Sequence, residues 1–239
     1  MNSGVNLILI KFLLSIFICS PASKKADLNE FPLSYDAELI YSAVSVEDLS
    51  FETFYLAYDG FNRLLEQRCL TRDTILTIID YSKPSDYERL FVIDLKNRKL
   101  LFKSLVAHGK GSGVAFAESF SNQPSSHQSC LGFFVTGKSY YGKHGYSLRI
   151  NGMEIGINNN ALSRAIVFHE APYVSINFIE KTGRLGRSFG CPALPVEKNQ
   201  LIIDTIKNAS CVFIYAREES YFKKTSLINS SLYSQTIAE

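Results

Sequence analysis

Cys191 lies in the stretch GRLGRSFGCPALP, Gly183 to Pro195, which holds three glycines, two arginines, two prolines and no Asp or Glu. A cysteine that only fills a core needs no such company. One that attacks a carbonyl does. The thiolate is the nucleophile, and neighbouring guanidinium groups such as Arg184 and Arg187 favour it over the thiol, whose usual pKa is ~8.5. Successive backbone N–H groups of Phe189, Gly190 and Cys191 are expected to form an anion-binding nest, the arrangement an oxyanion hole requires. The plainer alternative is a cysteine packed in a turn.

A thiol nucleophile needs a base within hydrogen-bond reach. The chain has four histidines, His108, His127, His144 and His169. His169 ends the apolar run AIVFHEAPYV, just before the cysteine loop, and a hairpin-like connection can bring the two together. His144 is its competitor as base. It sits with Tyr141 in the glycine-flanked stretch YYGKHGYSLRI, a suitable place for substrate contact. His108, in VAHGKGSG, reads as a strand-end residue that steadies a loop. Spacing alone leaves the base open among these. The alternative for Arg184 and Arg187 is solvated loop charge.

These groups need a scaffold. Residues 36–67 show apolar positions at helical spacing, with capping residues in SVEDLSFETF that split the run into two helices. From Asp73 the pattern becomes β. TILTIIDYS, RLFVIDL and LLFKSLVAHG are three strands joined by short polar turns. CLGFFVTG, SLRINGMEIG and AIVFHEAPYVS are further strands, with strand-like residues ending near Ile179. PVEKNQLIIDTIKN is a helix with Pro at its start, and SCVFIYA is a closing strand. The residues from Arg217 onward are polar and expected to be poorly tethered.

Bulk properties narrow the class. The 239 residues suit one substantial domain, and a formal net charge of +2 gives no electrostatic case for nucleic acid. The N-terminal run from Val5 to Cys19 is too short to span a membrane and fits the apolar region of a secretory signal peptide, with Ser20-Pro21-Ala22 as a cleavage site. The bulky pair Phe17-Ile18 before Cys19 argues against lipid attachment. The five cysteines contain no CxxC pair that would suggest zinc or redox work. In an exported chain one disulfide among Cys69, Cys130 and Cys211 is allowed, although Cys130 and Cys211 lie in apolar strand-like runs that favour core packing.

RAIVFHEAPYVS followed by GRLGRSFGCPALP resembles the paired His and Ser-x-Gly-Cys elements of the murein L,D-transpeptidase catalytic domain family. AHGKGSG, SFSN, LGFFVTGKSYYGKHGYSLRINGMEIG and NNNA resemble its less typical branch, so the resemblance covers about Leu90 to Tyr215. It implies a mainly β, L,D-transpeptidase-like β-sandwich catalytic domain with a few helices, preceded by a small helical segment. The expected boundaries are a signal peptide at 1–22, helices at 23–72, the catalytic domain at 73–216 and a polar tail at 217–239. The resemblance implies Cys191 as nucleophile, His169 as base, Ser188 and Gly190 in the Ser/Thr and Gly positions of the cysteine motif, and a main-chain carbonyl at or near Glu170 as the third member. Phe189 stands where the family usually has His, and Pro192-Ala193 replace an apolar residue and Asn or Arg, changes that bear on acceptor choice.

The expected activity is that of an exported transpeptidase acting on peptidoglycan stem peptides in the periplasm or cell envelope. It would need no cofactor and no metal, bind no nucleic acid and make no stable membrane insertion after signal removal. Arg187, Arg184, His144 and Tyr141 would contact the substrate, the arginines at its carboxylates. The alternatives are an L,D-carboxypeptidase or endopeptidase on the same chemistry, and a non-catalytic peptidoglycan-binding protein.

Overall fold

The computed structural model describes residues 32–229, so the expected signal segment lies outside the described residues. Two helices lead the fold, α1 (Pro32–Val44) and α2 (Phe51–Glu66), separated where the capping residues predict a break. Ser50 caps α2, its side chain accepting from the Thr53 N–H at 3.1 Å. The buried face of α2 includes Phe54, Leu56, Ala57, Phe61 and Leu64. Gly60 sits mid-helix, where glycine is unfavourable, because a Cβ there would lie 2.0 Å from the Phe133 ring.

Three strands follow as an antiparallel meander, β1 (Ile75–Asp80), β2 (Leu90–Asp94) and β3 (Lys99–Ser104). Then come β4 (Gly132–Gly142), β5 (Gly145–Gly152), β6 (Val167–Glu170), the helix α3 (Ile176–Thr182), the two-residue β7 (Ala193–Leu194), the helix α4 (Val196–Ile206), β8 (Cys211–Tyr215) and the short helix α5 (Glu219–Phe222). The protein is mostly β, as expected. Its strands form one eight-stranded sheet in the order β3-β2-β1-β8-β4-β5-β6-β7. The central strands β1 and β8 pair in parallel and are buried at every position. That is why TILTIID and CVFIY read as continuous apolar runs instead of alternating ones. α2 packs on β1 and β8, and α4 on β4, β5 and β6.

The sheet nearly closes on itself. β3 and β7 are its two edges, yet the chain leaving β3 bridges to β7 at Ala107↔Ala193 and to the cysteine loop at Gly109↔Ser188. A small second core of Leu105, Ala107, Ala171, Val174, Leu185 and Ala193 fills this seam.

Two expectations are corrected. The strand expected to run to Ile179 stops at Glu170, and residues 176–182 are helical. Ser175 caps this helix and Gly183 ends it in the left-handed conformation at φ 73°. None of its residues is buried, so no stripe of period 3.6 existed to reveal it, and Val174, Ile176 and Phe178 imitate strand alternation. Nor are the residues just after Arg217 loose. Tyr221, Phe222, Leu227 and Ile228 are buried, and the Tyr221 hydroxyl donates to the buried Glu154 carboxylate at 3.3 Å. No helix among the described residues is long and apolar enough to cross a membrane.

Candidate active site

The hairpin-like connection expected between His169 and Cys191 is corrected: β6 and β7 run parallel, with α3 in the connection, and His169 lies opposite Ala193 and Glu170 opposite Leu194. Cys191 lies two residues before Ala193, which carries it to the level of Val167. The Val167 N–H accordingly points at the Cys191 sulfur, at 3.4 Å. His169 lies on β6, and Cys191 lies in the loop just ahead of β7. Both line a cleft of about 440 Å3, together with Tyr140, Lys143, His144, Arg164, Arg187 and Ser188 among others.

The Nδ1 of His169 is 2.8 Å from the Glu170 carbonyl oxygen. A carbonyl only accepts, so Nδ1 carries the proton and Nε2 is left with its lone pair, the tautomer a base requires. Burial pulls the His169 pKa below its ordinary value; the Glu170 carbonyl opposes this and the neighbouring His144 adds to it. The His144 ring lies 5.0 Å from that of His169, centroid to centroid. The imidazole is therefore neutral near pH 7.

Burial pushes the Cys191 thiol up, against the Val167 N–H and the charge of Arg164, which both lower it. The thiol donates to the Ala165 carbonyl, at 3.6 Å. At rest the thiol and the imidazole are both neutral, and the sulfur's hydrogen bonds run to the Val167 N–H and the Ala165 carbonyl. This corrects the expectation that Arg184 and Arg187 hold the thiolate. Arg184 folds back onto the Leu185 carbonyl at 2.7 Å and does not line the cleft. Arg187 lines the cleft while one nitrogen donates to the Gly113 carbonyl at 2.7 Å. Arg164, which sequence reasoning missed, lines the same cleft, and its charge lowers the Cys191 pKa. Its only sequence signal is a position just before an apolar run.

The cysteine loop is tightly held. Gly190 has φ 121°, and a Cβ there would lie 2.7 Å from the Gln128 carbonyl oxygen. Close approach to protein backbone is the reason for this glycine. The Ser188 hydroxyl donates to the Cys191 carbonyl at 2.6 Å and accepts from the Gly190 N–H at 3.0 Å. The expected nest of three N–H groups is thereby reduced, since that of Gly190 is engaged within the loop. Phe189 is exposed, with His127 4.6 Å away, ring to ring, and the Lys110 ammonium 4.3 Å from its centroid. Tyr141 is four-fifths exposed and stands outside the cleft wall, where Tyr140 takes the place expected for it.

His108 lies behind the loop. Its carbonyl accepts from the Ser188 N–H at 3.0 Å. Its ring nitrogen Nδ1 is 2.8 Å from Nη2 of the fully buried Arg89. Burial, then the Arg89 charge, lowers its pKa to about 3, so it is a neutral support and not a base. Cys69, Cys130, Cys191 and Cys211 are all free thiols, and Cys130 and Cys211 are buried, as core packing requires. Among the described residues no group of three or more His, Cys, Asp and Glu side chains is placed to hold a metal ion.

A mostly β sheet presenting a cysteine and a carbonyl-oriented histidine in one cleft defines a candidate cysteine acyltransferase site. Residues 45–215 match the family model of the L,D-transpeptidase catalytic domain, and the chain belongs to that family. Solved structures with similarity include an L,D-transpeptidase from Mycobacterium smegmatis, at 14% identity over 60% of this chain and 59% of that one, with a TM-score of 0.37. An L,D-transpeptidase from Mycobacterium tuberculosis H37Rv has 14% identity over 60% and 58%, with a TM-score of 0.36. One from Stackebrandtia nassauensis has 11% identity over 75% and 76%, with a TM-score of 0.36. The chain spans just under three fifths of the length of the two mycobacterial proteins. No curated protein matches it.

Proposed function

We propose that the protein is an exported peptidoglycan L,D-transpeptidase that works through a Cys191 acyl-enzyme. The observation that carries this reading is the pairing of Cys191 and His169 on one cleft wall, with the Nδ1 proton of His169 held on the Glu170 carbonyl, in a chain of this family. His169 Nε2 takes the Sγ proton as Sγ bonds to the carbonyl carbon of an L–D peptide bond in a stem peptide. The N–H groups of Phe189 and Cys191 face the developing oxyanion. The tetrahedral adduct collapses to a thioester, and His169 returns the proton to the departing D-amino acid amine. An acceptor amine then attacks the thioester, loses its proton to His169 and releases the thiol. Arg187 on the cleft wall reads a substrate carboxylate, and His144 contacts the substrate beside the base. Ser188 and Gly190 shape the loop.

The test is incubation of the protein with defined muropeptides and analysis of products by mass. Cross-linked products that vanish in a folded Cys191→Ala variant support the proposal. Products formed by water alone convert it to a carboxypeptidase or endopeptidase. Turnover by Cys191→Ala at the wild-type rate removes the mechanism altogether, and binding with no turnover by the wild-type protein leaves a non-catalytic binder.

A further inference from the structure

Arg164 has an unusual set of partners. Nη1 donates to the Ser121 carbonyl at 2.5 Å and to the Cys130 sulfur at 2.7 Å. Nη2 donates to the Gln128 carbonyl at 2.7 Å and the Ser126 hydroxyl at 3.2 Å. All four acceptors are neutral, and Cys130 is so because burial pushes its pKa up to about 11. None of the ion pairs among the described residues includes Arg164. The charge is therefore fixed in place and left uncompensated by any carboxylate in contact.

Its location gives that charge a purpose. Nη2 lies 3.4 Å from where a Cβ on Gly190 would be, and Arg164 shares the cleft wall with Cys191. The next residues form the rest of the sulfur's surroundings. Ala165 adopts a left-handed φ of 54°, sparsely populated for a residue with a side chain, and its carbonyl accepts from the thiol. Val167 donates to the sulfur. The carbonyl favours the thiol, whereas the N–H and the guanidinium favour the thiolate.

We propose that Arg164 is the positioning residue that stabilises the Cys191 thiolate once His169 has taken its proton, and that the loop from Ser121 to Cys130 exists in part to hold this guanidinium in place. The inference rests on Cys191 being the nucleophile. In the step concerned the S–H bond breaks, the proton moves to His169 Nε2 and sulfur keeps the electron pair. A fixed charge needs no reorganisation at that moment. Arg suits the position because its fork holds several acceptors at once, which an ammonium cannot do in the same geometry. The other titratable or charged groups around the sulfur are Tyr140, Lys143 and His144 from the β4–β5 hairpin, His169 and Glu170 on β6, and Arg187 and Tyr173 on the loops, with the buried Tyr81 and Cys130 behind. None of these cations is held against Gly190 as Arg164 is.

The experiment is the pH dependence of iodoacetamide alkylation at Cys191, followed by peptide mass, for the wild-type protein and for Arg164→Gln, Arg164→Lys and Cys130→Ala. Arg164→Gln is expected to raise the alkylation midpoint by about one pH unit, a tenfold loss of thiolate at a given pH, at the low end for an opposite charge nearby. Arg164→Lys raises it by less, and Cys130→Ala, which leaves the charge and three of its contacts, moves it by no more than a few tenths. A purely structural Arg164 would lower Tm and leave the midpoint alone. An unshifted midpoint in Arg164→Gln, or in Arg164→Lys where the Gln variant does not fold, overturns the proposal. Alkylation needs no substrate, so a shifted midpoint with no muropeptide turnover by the wild-type protein would sink the transpeptidase reading and leave this one standing.

Discussion

Replacing Gly190 by alanine should damage both stability and turnover. The backbone there has φ 121°, a region that residues with a Cβ avoid. The added methyl would lie 2.7 Å from the Gln128 carbonyl oxygen and 3.1 Å from Ile166 Cδ1. That carbonyl cannot swing away without losing its 2.7 Å bond from Arg164, so the loop itself must move. A residue held in a sparsely populated conformation costs about 1–3 kcal/mol. With the contact added, a loss of about 2–3 kcal/mol is expected, or roughly 4–12 °C in Tm for a domain of this size. Cys191 is the next residue, and a displacement of about 1 Å at a reacting group can cost about 10²-fold in rate. Gly183→Ala is the control. Its φ is 73° with nothing within 4 Å of a Cβ, so it should lose only about 1–2 kcal/mol and keep full turnover. Thermal denaturation and muropeptide turnover measured on both variants decide the matter. A Gly190→Ala protein with wild-type Tm and rate would refute the claim that the Gln128 backbone dictates this glycine.

Three further outcomes follow from the site. His169→Ala should reduce kcat by about 10²–10⁴-fold, the usual contribution of a positioned base, and His144→Ala by far less; the reverse order of losses would make His144 the base. Because burial raises the Cys191 thiol and lowers His169, there is no resting ion pair, and the rate of iodoacetamide alkylation should still be climbing as pH passes ~8.5, the ordinary thiol value. A plateau reached below pH 7 would contradict that. Arg187→Lys should lower kcat/KM about ten- to a hundredfold on a stem peptide with a free side-chain carboxylate, from a charge-assisted bond worth roughly 1.5–3 kcal/mol. It should do much less on the amidated peptide, and Arg184→Lys should be nearly silent on both, since Arg184 is turned onto the Leu185 carbonyl; equal losses on acid and amide would remove the reading role of Arg187.

The candidate nucleophile carries a local signal, whereas the choice of His169 among the four histidines came from the family resemblance. Cys191 sits in a glycine and proline loop, and His169 ends an apolar run. Their meeting depends only on the short parallel pairing of β6 and β7. A main-chain carbonyl at or near Glu170 was implied by the same resemblance, and the Glu170 carbonyl lies 2.8 Å from His169 Nδ1. Arg164 was hidden, because its partners Ser121, Ser126, Gln128 and Cys130 come from a loop 34 to 43 residues upstream, and nothing in the local pattern announces that fold-back. The error over Arg184 and Arg187 has the same origin. Sequence proximity to Cys191 stood in for spatial proximity: Arg184 turns onto the Leu185 carbonyl outside the cleft, while Arg187 does line it with one nitrogen on the Gly113 carbonyl. The tail misled by composition. Its polar letters conceal Tyr221, Phe222, Leu227 and Ile228, which are buried, and the buried Glu154 that receives Tyr221 is 67 residues away.

The seam at Ala107 and Ala193 has a consequence for how the protein becomes active. It joins segments 86 positions apart along the chain, and the neighbouring bridge ties Gly109 to Ser188. Contacts of such separation form only after loop-closure entropy has been overcome, and they slow folding. The cysteine loop is suspended from this seam, through the His108 carbonyl on one side and β6 on the other. A nascent or partly folded chain therefore carries Cys191 without its electrostatic surroundings, as an ordinary thiol. A pulse of alkylating reagent during refolding, read at Cys191 by peptide mass, is expected to report when this seam closes.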